Sequence, residues 1–213
     1  MKRIVIVDDD ILIAECMGKL LEKRLRVGVV GYAKDGEEGL KICQATQPDI
    51  AIIDLQMPKL NGISLMEELV KSLPDIRIII LSGCINPYAV WKVMQYGIHG
   101  YILKTENMET MLHGVHAVIN NDHFFSSKFL IIKEKLRVDP DAFYKILSPR
   151  EQEIMCIFFA GLDDEHMGRK LGITAGTVGL HRKNIRKKLQ LNNDRELMGY
   201  MIKLGLNKFT PDL

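Results

Sequence analysis

Five polar side chains that could carry out phosphate or metal chemistry stand where short apolar runs of the sequence end. They are Asp8 and Asp9 after the first run, Asp54 after the third, Ser82 after the fourth and Lys104 after the fifth. Carboxylates that are brought together repel one another and need a cation, and an all-oxygen cluster suits Mg²⁺, which also takes a phosphate oxygen as a ligand. A lysine and a hydroxyl group add donors for that phosphate. The set therefore indicates a phosphate site in which a carboxylate is the nucleophile.

The elements that must bring these residues together are strands and helices that alternate over residues 1–120. The apolar runs are Ile4–Val7, Val27–Tyr32, Ile50–Ile53, Ile76–Leu81 and Gly100–Leu103, with amphipathic stretches near 11–24, 36–46, 62–72, 87–96 and 106–119. Continuous apolar strands between helices are typical of a parallel sheet that is covered on both faces. Right-handed crossovers then predict an α/β fold, a doubly wound five-stranded parallel sheet with strand order 2-1-3-4-5.

In such a sheet all strands end at one edge, and ligands bind where the strand order reverses. Strands 1 and 3 meet there, so we expect Asp8, Asp9 and Asp54 to converge, with Asp54 at the centre as the phosphoryl acceptor. A single aspartate after a strand is more often a turn former or a helix cap. We give that interpretation to Asp10, because a predicted helix begins at Ile11. The other polar residues stand at the ends of four strands that meet at one edge of the sheet, and this coincidence favours a functional role for them.

The rest of the chain is predicted to be helical. Residues 121–143 are interpreted as a linker with a short helix near 127–136, and residues 144–213 as a second, all-α domain. Ser148 and Glu151 have the spacing of a capping box, which marks the start of a helix.

Residues 161–191 have the pattern of a helix-turn-helix. Asp163 can cap its first helix, Gly172 can end that helix and Thr174 can cap the second. The second helix contains the basic segment RKNIRKK, and such a helix suits the DNA major groove. A solvated basic helix face is the common alternative, but the turn, the caps and an apolar stripe together favour DNA binding. The candidate DNA contacts are Thr177, Leu180, Lys183, Asn184, Arg186, Lys187 and Lys188.

Composition is consistent with a two-part, soluble protein. Residues 1–120 hold 13 basic and 15 acidic residues, whereas residues 144–213 hold 12 and 8. The basic surplus of the second part points towards nucleic acid. The four cysteines form no CxxC pair, so neither a zinc site nor a disulfide framework is expected. We find no signal-peptide pattern and no apolar run of membrane-spanning length, and we therefore expect a cytoplasmic protein with no membrane partner.

Residues 1–120 resemble the receiver domain of bacterial two-component response regulators. The matching segments are IVIVDDD, IAIIDLQMPKLNGISLM, IIILSG and GYILK. The resemblance implies a flavodoxin-like fold in which Asp54 is the phosphoacceptor and Mg²⁺ is the cofactor. It also implies that the metal ligands are Asp8, Asp9, Asp54 and the backbone carbonyl of Gln56, and that the phosphate-binding and switch residues are Ser82, Lys104 and Tyr101. For Tyr101, a half-buried strand tyrosine with no switching role is the alternative.

Residues 147–191 resemble the LuxR-type helix-turn-helix, in the segments LSPRE, GL, LGIT, TV, H and NIRKKL. A receiver followed by this module is the NarL/FixJ arrangement of response regulators. One departure is that Gly176 and Gly179 lie in the recognition helix, where relatives often carry polar or basic residues. Each glycine costs about 1 kcal/mol of helix propensity relative to alanine, and base reading is then expected to depend on few groups.

Together these features predict a DNA-binding transcriptional response regulator that is not an enzyme. A partner sensor histidine kinase would phosphorylate Asp54, and the phosphorylated protein would form a homodimer on double-stranded DNA. One alternative is a Mg²⁺-dependent phosphatase with a carboxylate nucleophile. Gln56 then occupies the position of the general acid and cannot serve as one. The other alternative is a regulator that binds DNA independently of phosphorylation.

Overall fold

The structure, a computed structural model, describes residues 1–83 and 85–206. This part of the chain forms two compact units, of which the first spans Met1–Ile132 and the second begins at Lys133. Cys84 and the end of the predicted C-terminal domain, residues 207–213, lie outside the described residues. None of the described helices has the length and apolar character that crossing a membrane requires.

The first unit is built on a parallel sheet. Its strands are β1 (Arg3–Val7), β2 (Gly28–Ala33), β3 (Ile50–Ile53), β4 (Arg77–Ser82), β5 (Gly100–Leu103) and β6 (Phe124–Phe125), in the order β2-β1-β3-β4-β5-β6. The predicted fold class and the order of the first five strands are confirmed. The predicted number of strands was wrong, because β6 adds a sixth strand next to β5. A two-residue strand is too short to show a hydrophobic period, and its residues were interpreted as linker.

Five helices connect and cover these strands. They are α1 (Ile11–Leu25), α2 (Gly36–Thr46), α3 (Gly62–Ser72), α4 (Pro87–Gln95) and α5 (Met108–Ile119). Each begins at a side chain that accepts a hydrogen bond from a backbone amide three residues further on, in the order Asp10, Asp35, Asn61, Asn86 and Asn107. Such caps satisfy amides that the first helical turn leaves without partners. The interpretation of Asp10 as a helix cap is therefore confirmed.

The sheet is buried on both faces, which explains its continuous apolar strands. Ile4, Ile6 and Ile52 belong to one core cluster together with Leu21 of α1 and Val115 of α5. Because the strands are parallel and in register, the carboxyl ends of β1, β3, β4 and β5 lie along one edge of the sheet.

The second unit is helical, as predicted. The sixth helix, α6 (Ser127–Val138), begins within the residues of the first unit and ends within those of the second. It is followed by α7 (Phe143–Ile146), α8 (Pro149–Phe159), α9 (Asp164–Leu171), α10 (Ala175–Lys188) and α11 (Asp194–Leu204). The capping box of Ser148 and Glu151 is present at the start of α8.

Helices α9 and α10 form the predicted helix-turn-helix. Asp163 caps α9, and Gly172 ends it with a φ of 66°, a backbone conformation that glycine adopts at little cost. Thr174 then caps α10 by accepting a hydrogen bond from the amide of Thr177. Val178 of α10 is buried and belongs to the apolar side of the helix.

Candidate functional site

The backbone carries three charged side chains to the same edge of the sheet. Just beyond β3, the amide of Asp54 donates to the carbonyl of Val7 at a distance of 2.9 Å, so Asp54 lies beside the end of β1 and next to Asp8. The amide of Lys104 donates to the carbonyl of Ser82, also at 2.9 Å. These bonds extend the sheet pairing past the strands and fix the positions of the side chains that follow.

Lys104 joins the two buried aspartates. Its Nζ atom lies 2.7 Å from Oδ2 of Asp54 and 2.7 Å from Oδ2 of Asp8. Asp8 and Asp54 thus lie close together, as expected, and Lys104 contacts both of them. A buried ion pair of this kind compensates two carboxylates that would be costly to bury with no counter-charge.

The pKa values reflect this balance. Burial raises the pKa of the Asp54 carboxyl above its usual range, and the hydrogen bond from Lys104 offsets only part of that increase. Burial acts to lower the pKa of Lys104, but the carboxylates of Asp54 and Asp8 outweigh burial and raise it. At neutral pH the lysine is therefore firmly cationic.

The acidic residues also fit a divalent cation. One carboxylate oxygen from each of Asp8, Asp9 and Asp54 lies within 4.8 Å of the others. Asp8 Oδ2 is buried and, apart from its ion pair with Lys104, receives no hydrogen bond. Asp9 is exposed at the mouth of the cluster. Oxygen ligands with an open side are what Mg²⁺ prefers, because it keeps several water molecules.

Gln56, the fourth predicted ligand, lies in the loop next to this cluster. Its amide donates to Oδ1 of Asp54 at 3.2 Å, and its side chain is exposed. The loop backbone is therefore tied to the phosphoacceptor candidate itself.

Ser82 and Tyr101 are both buried, at neighbouring strands of the sheet. Ser82 is the last residue of β4, and Tyr101 lies in β5. The Tyr101 ring packs against the ring of Phe129 in α6, with centroids 4.9 Å apart, and Phe129 stacks on Phe125 of β6 at the same distance. The sequence reasoning missed this aromatic stack, because Phe125 lies in a strand and Phe129 in a helix, so no helical spacing relates them.

In the second unit, the predicted DNA contacts differ in their exposure and in their partners. Leu180 is 58% exposed, and Lys183, Asn184 and Lys187 are exposed on the same helix, α10. Residues spaced by three, four and seven positions share one helix face, so these four side chains form an outward surface. Thr177, the remaining uncharged candidate, is half-buried, and its hydroxyl group lies 2.8 Å from that of Thr174.

The other two candidate cations contact carboxylates within the unit. Arg186 forms an ion pair with Asp194 of α11, and Lys188 lies 2.7 Å from the buried Glu151 of α8. Their part in DNA binding stays a prediction.

Arg182, which the sequence reasoning did not single out, links four helices. It pairs with Asp164 of α9 and Asp194 of α11, and its guanidinium lies 4.3 Å from the ring centroid of Phe158 in α8. Its role is thus to hold α10 against its neighbours.

Two family models cover most of this chain. Residues 4–116 match the response regulator receiver domain, and residues 145–201 match the bacterial regulatory proteins of the luxR family. The chain belongs to the response regulators that carry a LuxR-type regulatory domain. The predicted NarL/FixJ arrangement is thereby confirmed.

This response regulator has full-length relatives in several bacteria. It is 31% identical over 216 residues to the oxygen regulatory protein NreC of Staphylococcus carnosus, a match that covers 97% of this chain and 100% of the relative. It is 29% identical over 206 residues to the transcriptional regulatory protein MctR of Rhizobium johnstonii, with 96% and 94% covered. Both relatives are named as regulators.

Its fold is similar to that of RcsB from Salmonella enterica serovar Typhimurium. For RcsB bound to the promoter rprA in the presence of the phosphomimetic BeF₃⁻, the TM-score is 0.68 and the identity 26%, covering 94% of this response regulator and 98% of RcsB. A second RcsB–DNA complex gives a TM-score of 0.63 at 25% identity, with 95% and 98% covered.

Proposed function

We propose that this response regulator is a transcription factor that is switched by phosphorylation of Asp54. The observation that carries the proposal is the contact of one lysine with two carboxylates: Lys104 lies 2.7 Å from both Asp8 and Asp54 at the edge of the sheet. A phosphoryl group on Asp54 would meet a cation that is already in position.

The proposed phosphodonor is a phosphohistidine of a partner sensor histidine kinase. A carboxylate oxygen of Asp54 attacks the phosphorus atom, a P–O bond forms, the P–N bond breaks and the imidazole leaves. Lys104 supplies positive charge to the phosphoryl oxygens. Mg²⁺, held by Asp8, Asp9, Asp54 and the carbonyl of Gln56, would neutralise further charge on the same oxygens.

The proposed response begins at Ser82 and Tyr101. The acyl phosphate carries more negative charge than the carboxylate that it replaces, and we propose that the Ser82 hydroxyl donates a hydrogen bond to it. With this hydrogen bond in place, Tyr101 and the elements that pack on its ring favour a second conformation. Phosphorylation therefore shifts the population of the protein from one conformation to the other. The contact between Tyr101 and Phe129 supports α6 as one of the elements that respond.

The proposed output is a homodimer that binds two half-sites of double-stranded DNA. The similarity to RcsB, solved with DNA, supports DNA as the partner. Exposed Leu180, Lys183, Asn184 and Lys187 are the first candidates to contact it. Such a protein would work in the cytoplasm, where its DNA and the kinase's catalytic part meet.

The proposed limits of the functional parts are residues 1–120 for the receiver, 121–143 for the linker and 144–213 for the DNA-binding domain. Residues 121–132 of this linker belong to the first unit of the structure, where β6 pairs with β5. The two matched family regions support these limits, since the linker falls between them.

Incubation of the full chain with a small phosphodonor and Mg²⁺ tests the proposal. We expect one phosphoryl group per chain, with an acid-stable, base-labile acyl linkage that mass spectrometry of the peptide locates at Asp54. Asp54→Asn should abolish labelling, and Lys104→Gln should slow it, because the developing charge loses one cation. Asp10→Asn is the matched control, since an asparagine can still cap α1.

Each alternative gives a different result. Continuous release of phosphate by the wild type with no stable label would indicate a phosphatase. No labelling at Asp54 under any of these conditions would contradict the proposal and leave a regulator that binds DNA independently of phosphorylation.

A further inference from the structure

Backbone hydrogen bonds hold the loop between β3 and α3, residues 54–61, near its start and near its end. Near its start, the carbonyl of Leu55 accepts a hydrogen bond from the amide of Gly62 at 3.1 Å. Near its end, the carbonyl of Leu60 accepts from the amide of Gly36, also at 3.1 Å. A Cβ atom on Gly36 would lie 2.0 Å from that carbonyl oxygen, so the loop approaches the start of α2 as closely as a glycine allows.

An ion pair between an exposed lysine and a buried aspartate reinforces the second attachment. Lys59 Nζ donates to Oδ2 of Asp35 at 2.6 Å, and Asp35 is only 2% exposed. The other oxygen of this carboxylate, Oδ1, caps α2 by accepting from the amide of Glu38 at 2.9 Å. The hydrogen bond from Lys59 is the largest influence that lowers the pKa of Asp35, which is thus a fixed anion.

The segment between this pair and Gln56 is short and stiff. Lys59 has a φ of 60°, a left-handed conformation that costs a lysine free energy and persists only where its surroundings impose it. Pro58 restricts its own φ, and the side chain of Met57 is buried. With only these two residues between Gln56 and Lys59, a displacement of Lys59 moves the Gln56 carbonyl as well.

We propose that the Asp35–Lys59 ion pair is a clamp that sets the affinity of this site for Mg²⁺. In this view Lys59 is a positioning residue: it fixes the loop so that the Gln56 carbonyl and the Asp54 carboxylate face the same cation. The inference rests on the proposed function, since it takes Asp54 and Gln56 as ligands. Groups that orient metal ligands from outside the coordination sphere commonly change metal affinity by an order of magnitude or more.

Charge must be separated from position in the test. Loss of Lys59 alone would leave the Asp35 carboxylate uncompensated and would attract Mg²⁺ more strongly at long range. The double variant Asp35→Asn/Lys59→Met removes the pair with no change in net charge, and the asparagine can still cap α2. Lys59→Arg keeps both the charge and the donor.

The experiment is a Mg²⁺ titration of the full chain, followed through the amide NMR signals of the loop. We expect the Mg²⁺ dissociation constant of the double variant to rise about 10-fold, and that of Lys59→Arg to stay within about 2-fold of the wild type. The control is Glu68→Gln/Lys71→Met, which removes a 2.8 Å ion pair on the surface of α3 with no change in net charge. It should leave the dissociation constant unchanged.

The outcomes separate the clamp from the proposed function. If the wild type binds Mg²⁺ through Asp54, as an Asp54→Asn variant would reveal, and the double variant binds it equally well, the clamp is refuted and the phosphoacceptor site is not. If the wild type shows no Mg²⁺ binding that depends on Asp54, the proposed function and the clamp fall together. Should the double variant not fold, Lys59→Met at about 0.5 M salt, where long-range charge effects are screened, gives the same comparison.

Discussion

At the scale of single residues, His99 is a titratable group that the fold keeps neutral. Its Nδ1 atom accepts a hydrogen bond from the amide of Ile78 at 3.2 Å, and its ring stacks on that of His123 at 5.4 Å. Burial, followed by the charges of Arg77 and His123, lowers the pKa of His99 from 6.5 to about 4. Between these two values the unfolded chain binds a proton that the folded chain does not, so stability falls as the pH falls through this window.

We therefore expect His99→Asn to flatten the pH dependence of stability. The asparagine side chain offers an oxygen to the Ile78 amide but does not titrate. Between pH 7 and pH 5 the histidine should cost the wild type about 1–2 kcal/mol of unfolding free energy, a figure that allows for partial solvent access. Urea unfolding followed by the fluorescence of Trp91, the single tryptophan of the chain, measures this in the first unit. An equal pH dependence in wild type and variant would contradict the assignment, and His116→Asn, at an exposed histidine of α5, is the control.

At the scale of elements, β6 and the start of α6 belong structurally to the first unit. Phe129 is fully buried between Tyr101 and Phe125, whereas its neighbour Leu130 is 47% exposed.

We expect Phe129→Ala to destabilise the first unit by about 3–5 kcal/mol, because it leaves a cavity against the sheet. Leu130→Ala should cost about 0.5 kcal/mol or less. Urea unfolding monitored by Trp91 fluorescence gives both values, and similar losses in the two variants would show that the aromatic stack does not bind α6 to the sheet.

Whether the sequence alone predicts a strand depends on the length of that strand. Strands such as Ile50–Ile53, buried on both faces, leave an unbroken apolar run that is visible in the sequence. The strand Phe124–Phe125 has only two residues, and its pairing with β5 depends on the position that α5 gives it. Its presence is a consequence of tertiary structure, which a local pattern does not record.

The same distinction applies to the candidate site. The convergence of Asp8, Asp54 and Lys104 was predictable, because parallel topology alone carries strand ends to one edge. The contacts of Lys59 with Asp35 and of Arg186 with Asp194 were not. They join residues in different elements through long, flexible side chains, and their formation depends on loop geometry that sequence spacing does not fix.

At the scale of the whole molecule, positive charge is concentrated in the second part of the chain but is partly neutralised there. Residues 144–213 hold 12 basic and 8 acidic residues, yet Arg182, Arg186 and Lys188 pair with carboxylates of their own unit. The outward face of α10 therefore offers few cations to phosphate. A single unit should bind DNA weakly, and doubling the number of contacts by dimerisation would have a large effect on affinity.

Salt dependence tests this consequence, because each phosphate contact releases counterions and changes the slope of log binding constant against log salt by about 0.9. Lys187→Ala should make the slope shallower by about 1 if one copy binds and by about 2 if a dimer binds. Fluorescence anisotropy with a selected promoter fragment, between about 50 and 200 mM salt, measures the slope for the phosphorylated and unphosphorylated chains.

Leu180→Ala is the matched control on the same face: it carries no charge, so the slope should not change, whereas discrimination between the promoter and a random fragment should decrease. A change of about 1 in the phosphorylated protein would contradict binding as a dimer, and an unchanged slope would place Lys187 outside the DNA interface.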